Sequence, residues 1–305
     1  MKQKASRQTV GTLLTIGGGV CWGFSGCMAQ YLFESKAVTA IWLVPQRMVV
    51  AGLILVVLGF FVEGKKMVAI FLNRADLIRL LTFSVFGMMM CQLMYFSAVQ
   101  YSNAGTATVL QTLAPVFILL FYCLRYRRRP RRIELVAIAG ALLGTFLLAT
   151  HGQLNGLAIT PQGLFFGLAA GVGAALYTLL SATLLNKGYS TWTVVGLGMF
   201  FSGLLLAAIV RPWSMGVVWD NEMVWMFVGI VIIGTALAFS LFLAGASIVG
   251  PLKASLLGSV EPLTAILLSA AVLGASFTAW DFVGFVLILG TVALLSLGKG
   301  QKADG

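Results

Sequence analysis

One acidic residue, Glu261, lies deep inside an apolar segment of the sequence. Counting from Leu252 at about 1.5 Å per residue places it roughly 13 Å along a helix, near the middle of a membrane. A carboxylate at that depth is costly, so it normally faces a cavity or a partner. We interpret it either as a binding group for a cationic or amino group of a solute or as a proton carrier. The alternative is a structural role, protonated or bonded to a backbone amide beside Pro262.

Other polar side chains interrupt the apolar segments where they could line a path for solutes. Arg47 lies six or seven residues into the second segment, in its outer half. There it snorkels to the headgroups, makes a structural pairing, or lines an outward cavity and meets an anionic group such as a carboxylate. Polar groups of the first, third, fourth and sixth segments either bond across helices or line a cavity. The predicted pathway residues are Trp22, Ser25, Arg47, Gln92, Tyr95, Gln111, Tyr177, Ser181 and Glu261.

Two prolines, Pro115 and Pro262, occupy matching places in a weak internal repeat. The stretch YFSAVQYSNAGTATVLQTLAP, residues 95–115, corresponds to FLAGASIVGPLKASLLGSVEP, residues 242–262, at an offset of 147 residues. Each proline removes a backbone N–H and frees the carbonyl four residues earlier. We predict paired kinks that open and narrow a path at the interface between the two copies; a static bend for packing is the alternative.

The composition requires a lipid environment, because 60% of the residues are hydrophobic and only 10% are charged. A soluble domain carries roughly 25% charged residues. The net charge of +11 lies in short runs between apolar segments, which is typical of topology signals and not of nucleic-acid binding. The four cysteines lack metal-ligand or disulfide spacing, and His151 stands alone. We predict no metal, no cofactor and, in the absence of an ATPase motif, energy from gradients.

Ten apolar segments are long enough to cross about 30 Å of hydrocarbon. Basic residues precede the first one, as in a signal peptide, but it continues past Cys27 and further apolar segments follow. We therefore expect an all-α integral membrane protein of ten transmembrane helices. The predicted spans cover residues 10–33, 40–62, 77–99, 104–124, 133–150, 162–185, 191–210, 222–244, 252–273 and 281–297.

The distribution of positive charge predicts the orientation of these spans. Sixteen of the twenty Lys and Arg residues fall on one side, including the run RYRRRPRR at residues 125–132, and that side is expected to be cytoplasmic with both termini. Five spans per half is an odd number, so the second half is expected to be inverted relative to the first. The predicted units are a cytoplasmic N-terminus (1–9), a first half (10–150), an extracellular linker (151–161), a second half (162–297) and a cytoplasmic tail (298–305).

The sequence resembles the drug/metabolite transporter superfamily, EamA type, over about residues 10–298. The matching features are PQRM at residues 45–48, the segment 95–115, PLKAS at residues 251–255 with the later Glu261-Pro262, and a glycine-rich last helix in each half. The resemblance implies ten spans in two halves. The chain departs from the family in one respect. Many members carry a glutamate after the fourth span of each half, where this chain has Arg125 and Ala275, and this weakens the case for proton coupling through such a glutamate.

These features predict a secondary transporter of the cell membrane that exports small organic metabolites, amino-acid-like or drug-like, by alternating access. Its partners are a small-molecule solute and the lipid bilayer; proton coupling is left open, nucleic acid is excluded, and no oligomeric state is specified. A passive facilitator or an uptake permease of the same fold is the first alternative. An integral membrane enzyme acting on lipid is the second, but it would need an acidic or histidine cluster that the sequence lacks.

Overall fold

The part of the chain that the structure describes is helical. A computed structural model describes residues 2–36, 38–153 and 156–298, so the predictions for Met1, for residues 154–155 of the linker and for residues 299–305 of the tail fall outside it. Within the described residues there is no β-strand, eight helices are long and apolar enough to cross a membrane, and two further apolar helices are shorter. The predicted all-α class with ten membrane helices is confirmed.

We label the ten membrane helices of the described residues α1 to α10. The first half contains α1 (Lys2–Ser35), α2 (Ala40–Glu63), α3 (Arg74–Tyr101), α4 (Ala104–Arg125) and α5 (Arg132–Thr150). The second half contains α6 (Pro161–Leu185), α7 (Thr191–Val210), α8 (Asn221–Val249), α9 in two pieces (Pro251–Gly258 and Val260–Leu273) and α10 (Ala279–Gly298). Two short helical segments, Gly64–Val68 and Ala69–Leu72, connect α2 to α3.

Two helix ends differ clearly from the predicted ones. α1 begins at Lys2, so the predicted polar N-terminal segment is already helical where it is described. α8 continues to Val249 instead of ending at Ala244, since the alanine and serine that follow are compatible with a helix. Gly250, with φ of 87°, then redirects the chain, and glycine adopts that conformation without steric cost.

Each half contains a π-helical segment in its third helix. The segment is Phe83–Met89 in α3 and Ile232–Leu237 in α8. These positions nearly coincide when the halves are aligned with the offset of the sequence repeat. π-helical segments occur frequently at functional sites because they displace side chains from the regular helical register.

The fourth helix of each half is interrupted just before its proline. α4 breaks at Thr112, and α9 breaks at Ser259, 147 residues later. Pro115 and Pro262 each follow the break by three residues and lie in the first turn of the new helical piece. At the predicted kinks the helix is thus broken for one or two residues whose backbone stays in the helical region, at positions that match between the halves.

Equivalent helices of the two halves pack closely and antiparallel, as α2 and α7 show. A Cβ atom placed on Gly203 would lie 2.6 Å from the backbone nitrogen of Val49, and one placed on Gly196 would lie 3.0 Å from that of Val56. At the repeat offset of 147 residues, Gly203 corresponds to Val56 and Gly196 corresponds to Val49, so the two contacts are equivalent in the two halves. Opposite directions of equivalent helices are what the predicted inversion requires.

The two halves are interlocked rather than side by side. α1 packs mainly on α8 and α9 of the other half, and α6 packs mainly on α3 and α4. The pairs α2–α7 and α5–α10 join equivalent helices. A solute route between the halves is therefore bordered by helices of both.

Successive connections between helices alternate between the two ends of the bundle, and these two ends differ in charge. The end with the arginine run, which we call the basic face, also has the ion pair of Lys187 with Asp76 at 2.6 Å. At the opposite end, the far face, Lys36 pairs with Asp220 at 2.8 Å. The Lys36 ammonium lowers the pKa of the Asp220 carboxyl by donating a hydrogen bond to it. Both ion pairs link one half to the other.

Candidate functional site

A cavity of about 350 Å³ lies between the two halves. Its lining comes from α1, α2, α3 and α4 of the first half and from α6, α8 and α9 of the second half. The break in α4, the π-segment of α8 and the piece of α9 after its break border it through Thr112, Gly234 and Glu261. The irregular helix segments therefore lie beside a cavity, which is a place where a membrane protein tolerates non-helical backbone.

Eight of the nine residues predicted for the pathway line this cavity. Ser181 does not, because its side chain is buried one turn beyond Tyr177 and its hydroxyl donates to the Thr178 carbonyl of its own helix at 3.3 Å. Pro115 and Pro262 are also absent from the lining, so their predicted part in gating depends on the breaks beside them. The eight lining residues are Trp22, Ser25, Arg47, Gln92, Tyr95, Gln111, Tyr177 and Glu261.

Arg47 is buried and does not extend towards the headgroups, since only 3% of the residue is exposed. Its Nε donates to the Thr235 hydroxyl at 3.0 Å. Its guanidinium carbon lies 4.4 Å from the centre of the Phe96 ring, in a cation–π arrangement. The snorkelling alternative is therefore wrong, and α3 and α8 hold the charge of Arg47 at the cavity.

Glu261 borders the same cavity from the other half. Its side chain makes no hydrogen bond and no ion pair with the described residues, so the alternative of a bond to a backbone amide is wrong. Arg47 and Glu261 thus share the cavity without pairing with each other. Opposite charges attract strongly in a medium of low dielectric. Their separation leaves space between them for a solute or for water.

The apolar part of the cavity is an aromatic wall that the sequence reading missed. Trp22 packs edge-on against Phe239 at 5.0 Å between ring centres and against Phe242 at 4.9 Å. Phe239 and Phe242 are the counterparts of Gln92 and Tyr95 at the repeat offset. Applying that offset to the predicted residues would have found both.

Several other missed lining residues are sequence neighbours of predicted ones. An amide–thiol contact joins one such pair, because Gln111 donates to the Cys91 sulfur at 3.4 Å. These residues could have been identified because each is next to a predicted residue in the sequence. Where a helix breaks or bends, two consecutive side chains can both face the cavity. The group consists of Cys91, Phe96, Thr112 and Thr178.

The far-face side of the cavity is closed by a buried network centred on Gln30. Its Oε1 accepts hydrogen bonds from the Ala104 backbone nitrogen at 2.9 Å and from the Ser269 hydroxyl at 2.8 Å. Its Nε2 donates to Glu34 at 2.8 Å. The network joins α1, α4 and α9. Sequence reasoning missed Gln30, because a single glutamine in an apolar segment carries no pattern that reveals its partners.

The basic-face side of the cavity is open by comparison. In α4, all residues from Ala104 to Leu110 are buried, whereas Gln111 and Thr112 are partly exposed. Thr178 of α6, which also lines the cavity, is exposed. Burial of these lining residues therefore decreases from the far face towards the basic face.

A two-repeat helical bundle whose halves enclose a cavity with a few polar and charged groups is typical of a membrane transporter. The chain belongs to the EamA-like transporter family, which matches it over residues 9–150 and 161–297. The predicted superfamily and the prediction of a transporter rather than an enzyme are confirmed by this membership.

Relatives and solved structures agree with this assignment. The "Uncharacterized inner membrane transporter YicL" of Salmonella typhimurium is 41% identical and covers 96% of this chain and 97% of its own length. The "Uncharacterized transporter YetK" of Bacillus subtilis is 27% identical, covering 84% of this chain and 78% of its own. A solved crystal structure with 19% identity superposes with a TM-score of 0.61 over 96% of this chain and 99% of its own, which shows a common fold.

Proposed function

We propose that this protein is a secondary exporter that carries small organic metabolites across the cell membrane by alternating access. The observation that supports it is the central cavity, which is lined by both halves and whose lining on α4 and α6 is less buried towards the basic face. The positive-inside rule places that face in the cytoplasm. A solute would then load from inside the cell, which is the direction that export requires.

Glu261 is proposed as the group that receives a cationic or amino group of the solute, or the proton that drives its transport. Support comes from its unpaired side chain at the cavity, next to the break in α9. A charged group held in this way is costly unless a ligand, water or a proton compensates it. The breaks in α4 and α9 are proposed as the flexible points of the gating motion.

The transport proposal is tested with purified protein in lipid vesicles. Labelled amino acids, nucleosides and cationic dyes should include at least one class that crosses with saturable kinetics. Flux that rises linearly with concentration would instead indicate a passive pore. Absence of both flux and binding for all three classes would contradict the proposal.

The proposed orientation predicts how single cysteines react in a background without the four native ones. A membrane-impermeant maleimide should label Trp219→Cys, at the far face, in intact cells. It should label Arg128→Cys, in the basic run, only after the membrane has been opened. Both positions are exposed in the structure, so burial does not interfere. Labelling of both from the same side would contradict the ten-span topology.

Replacing Gln30 with leucine should open the far side of the cavity. The change leaves the Ala104 N–H and the Ser269 hydroxyl without their buried acceptor, which costs about 1–3 kcal/mol and shifts the closed-to-open ratio roughly tenfold. The readout is maleimide labelling of the native Cys27, which is buried one turn before Gln30, with the other three cysteines replaced.

The matched control is Gln46→Leu, because the one hydrogen bond of the Gln46 side chain with the described residues goes to the Trp42 carbonyl of its own helix. Cys27 should react several-fold faster from the far face in Gln30→Leu and at the unaltered rate in Gln46→Leu. Equal rates in both variants would show that Gln30 does not keep the far side closed.

A further inference from the structure

Two buried polar atoms of the described residues have no hydrogen-bond partner, and both belong to residues that line the central cavity. They are the Ser25 hydroxyl oxygen and the Nη1 nitrogen of Arg47. Each residue is only 3% exposed. Buried polar groups in proteins are nearly always paired, because an unpaired one loses its hydration without compensation. Two such atoms at one cavity indicate a ligand that supplies the missing partner.

Two contacts fix the guanidinium group of Arg47 in one orientation. Its Nε is held by the Thr235 hydroxyl, which donates in turn to the Ile230 carbonyl at 3.0 Å, five residues earlier. An interval of five residues between donor and acceptor is typical of a π-helix, and Thr235 lies in the π-segment of α8. The ring of Phe96 supports one face of the guanidinium. The two terminal nitrogens, Nη1 and Nη2, make no hydrogen bond with the described residues, so this end of the guanidinium is a positioned donor.

Ser25 reaches the same part of α8 from α1. The nearest atoms to a Cβ placed on Gly234 belong to the Ser25 side chain, so α1 and α8 are in close contact there. Gly234 and Thr235 are consecutive residues. Ser25 packs against the first and Arg47 bonds to the second, so both residues meet the π-segment of α8 where it borders the cavity.

We infer that Arg47 and Ser25 form a subsite for a carboxylate group of the transported solute; this rests on the proposed transport function. The guanidinium offers a charged donor and the serine a neutral one, and a carboxylate has acceptor oxygens for both. The anion also compensates a buried positive charge that Glu261 does not neutralise. Thr235 is a positioning residue, since it fixes the guanidinium and leaves Nη1 free.

A carboxylate fits this subsite better than a phosphate ester. Among the described residues that line the cavity, Arg47 is the only cationic one, and a phosphate monoester carries up to two negative charges that would need further donors. The wall of Trp22, Phe239 and Phe242 next to it favours a solute whose remaining part is apolar. Phenylacetate and its neutral analogue phenylacetamide are matched probes for this chemistry.

The test is binding of the two probes to the purified full-length protein in lipid nanodiscs, measured by calorimetry. The wild-type protein should bind phenylacetate about tenfold more tightly than phenylacetamide, which is the usual advantage of a hydrogen bond to a charged group. Arg47→Gln should abolish this preference, and Ser25→Ala should reduce it several-fold. Arg129→Gln, which changes an arginine outside the cavity, should retain it.

Thr235 provides a test that does not depend on the folding of the Arg47 variant. Thr235→Val should lower the preference for phenylacetate, while Thr235→Ser, which retains the hydroxyl, should restore it. Equal affinity of the wild-type protein for both probes, failure to bind phenylacetate at millimolar concentration, or an unchanged preference in both Arg47→Gln and Ser25→Ala would overturn the subsite.

Binding and transport results separate this inference from the proposed function. If vesicles transport 2-phenylethylamine but the protein does not prefer phenylacetate, the carboxylate subsite is wrong and the transporter remains. If phenylacetate binds in an Arg47-dependent way but no solute crosses the membrane, the subsite remains and the proposed export is wrong.

Discussion

Glu261→Gln is expected to lower transport of an amine such as 2-phenylethylamine at least tenfold. Glutamine retains the size and hydrogen-bonding capacity of glutamate but removes the only negatively charged side chain among the described residues that line the cavity. Hydrogen bonds to charged groups contribute about 1.5–3 kcal/mol, and neutral ones about half of that, so the difference corresponds to roughly a factor of ten in affinity. Because Glu261 has no partner among the described residues, the substitution should not destabilise the fold.

The measurement is initial uptake into vesicles, with and without a pH gradient. If Glu261 binds the amine, both exchange and gradient-driven accumulation should fall. If it carries the proton, accumulation should be lost while exchange between labelled and unlabelled amine continues. The matched control is Glu134→Gln, because Glu134 pairs with Arg128 at the basic face and lies away from the cavity. Wild-type transport by Glu261→Gln in both assays would exclude either role.

The helices and the position of the acidic residue were predictable because each depends on local composition. Membrane spans follow from long apolar runs, since the bilayer admits only helices with satisfied backbones. The depth of Glu261 follows from counting along its helix, and a costly charge at that depth implies a cavity. The internal offset of 147 residues also predicted the matching interruptions before Pro115 and Pro262.

Other parts of the site depend on contacts between distant segments, which the sequence does not display. The burial of Arg47 needs Thr235, 188 residues away, and a π-segment that shifts that hydroxyl into place. Gln30 closes the far side through partners on α4 and α9. Ser181 shows the opposite error. Its spacing from Tyr177 places it on the same helix face, but the cavity ends before it.

Gly203→Val is expected to be strongly destabilising, because Gly203 lies in the close interface between α2 and α7. The new Cβ would lie 2.6 Å from the Val49 backbone nitrogen and 2.9 Å from the Met48 backbone carbon, and neither backbone can move without separating the two helices. Overpacking in a closely packed interior costs about 1–3 kcal/mol. We expect the apparent melting temperature to fall by roughly 5–10 °C and the yield of folded protein to fall with it.

The matched control is Gly290→Val, since a Cβ on this glycine of α10 would meet nothing within 4 Å. Thermal unfolding followed by size-exclusion chromatography in detergent should rank the variants, with Gly203→Val lowest, Gly196→Val intermediate and Gly290→Val close to the wild-type protein. Gly196 is intermediate because its equivalent contact, with the Val56 nitrogen, is looser at 3.0 Å. Equal melting temperatures for Gly203→Val and Gly290→Val would contradict the close antiparallel packing of α2 and α7, and with it the relation between the two halves that creates the cavity.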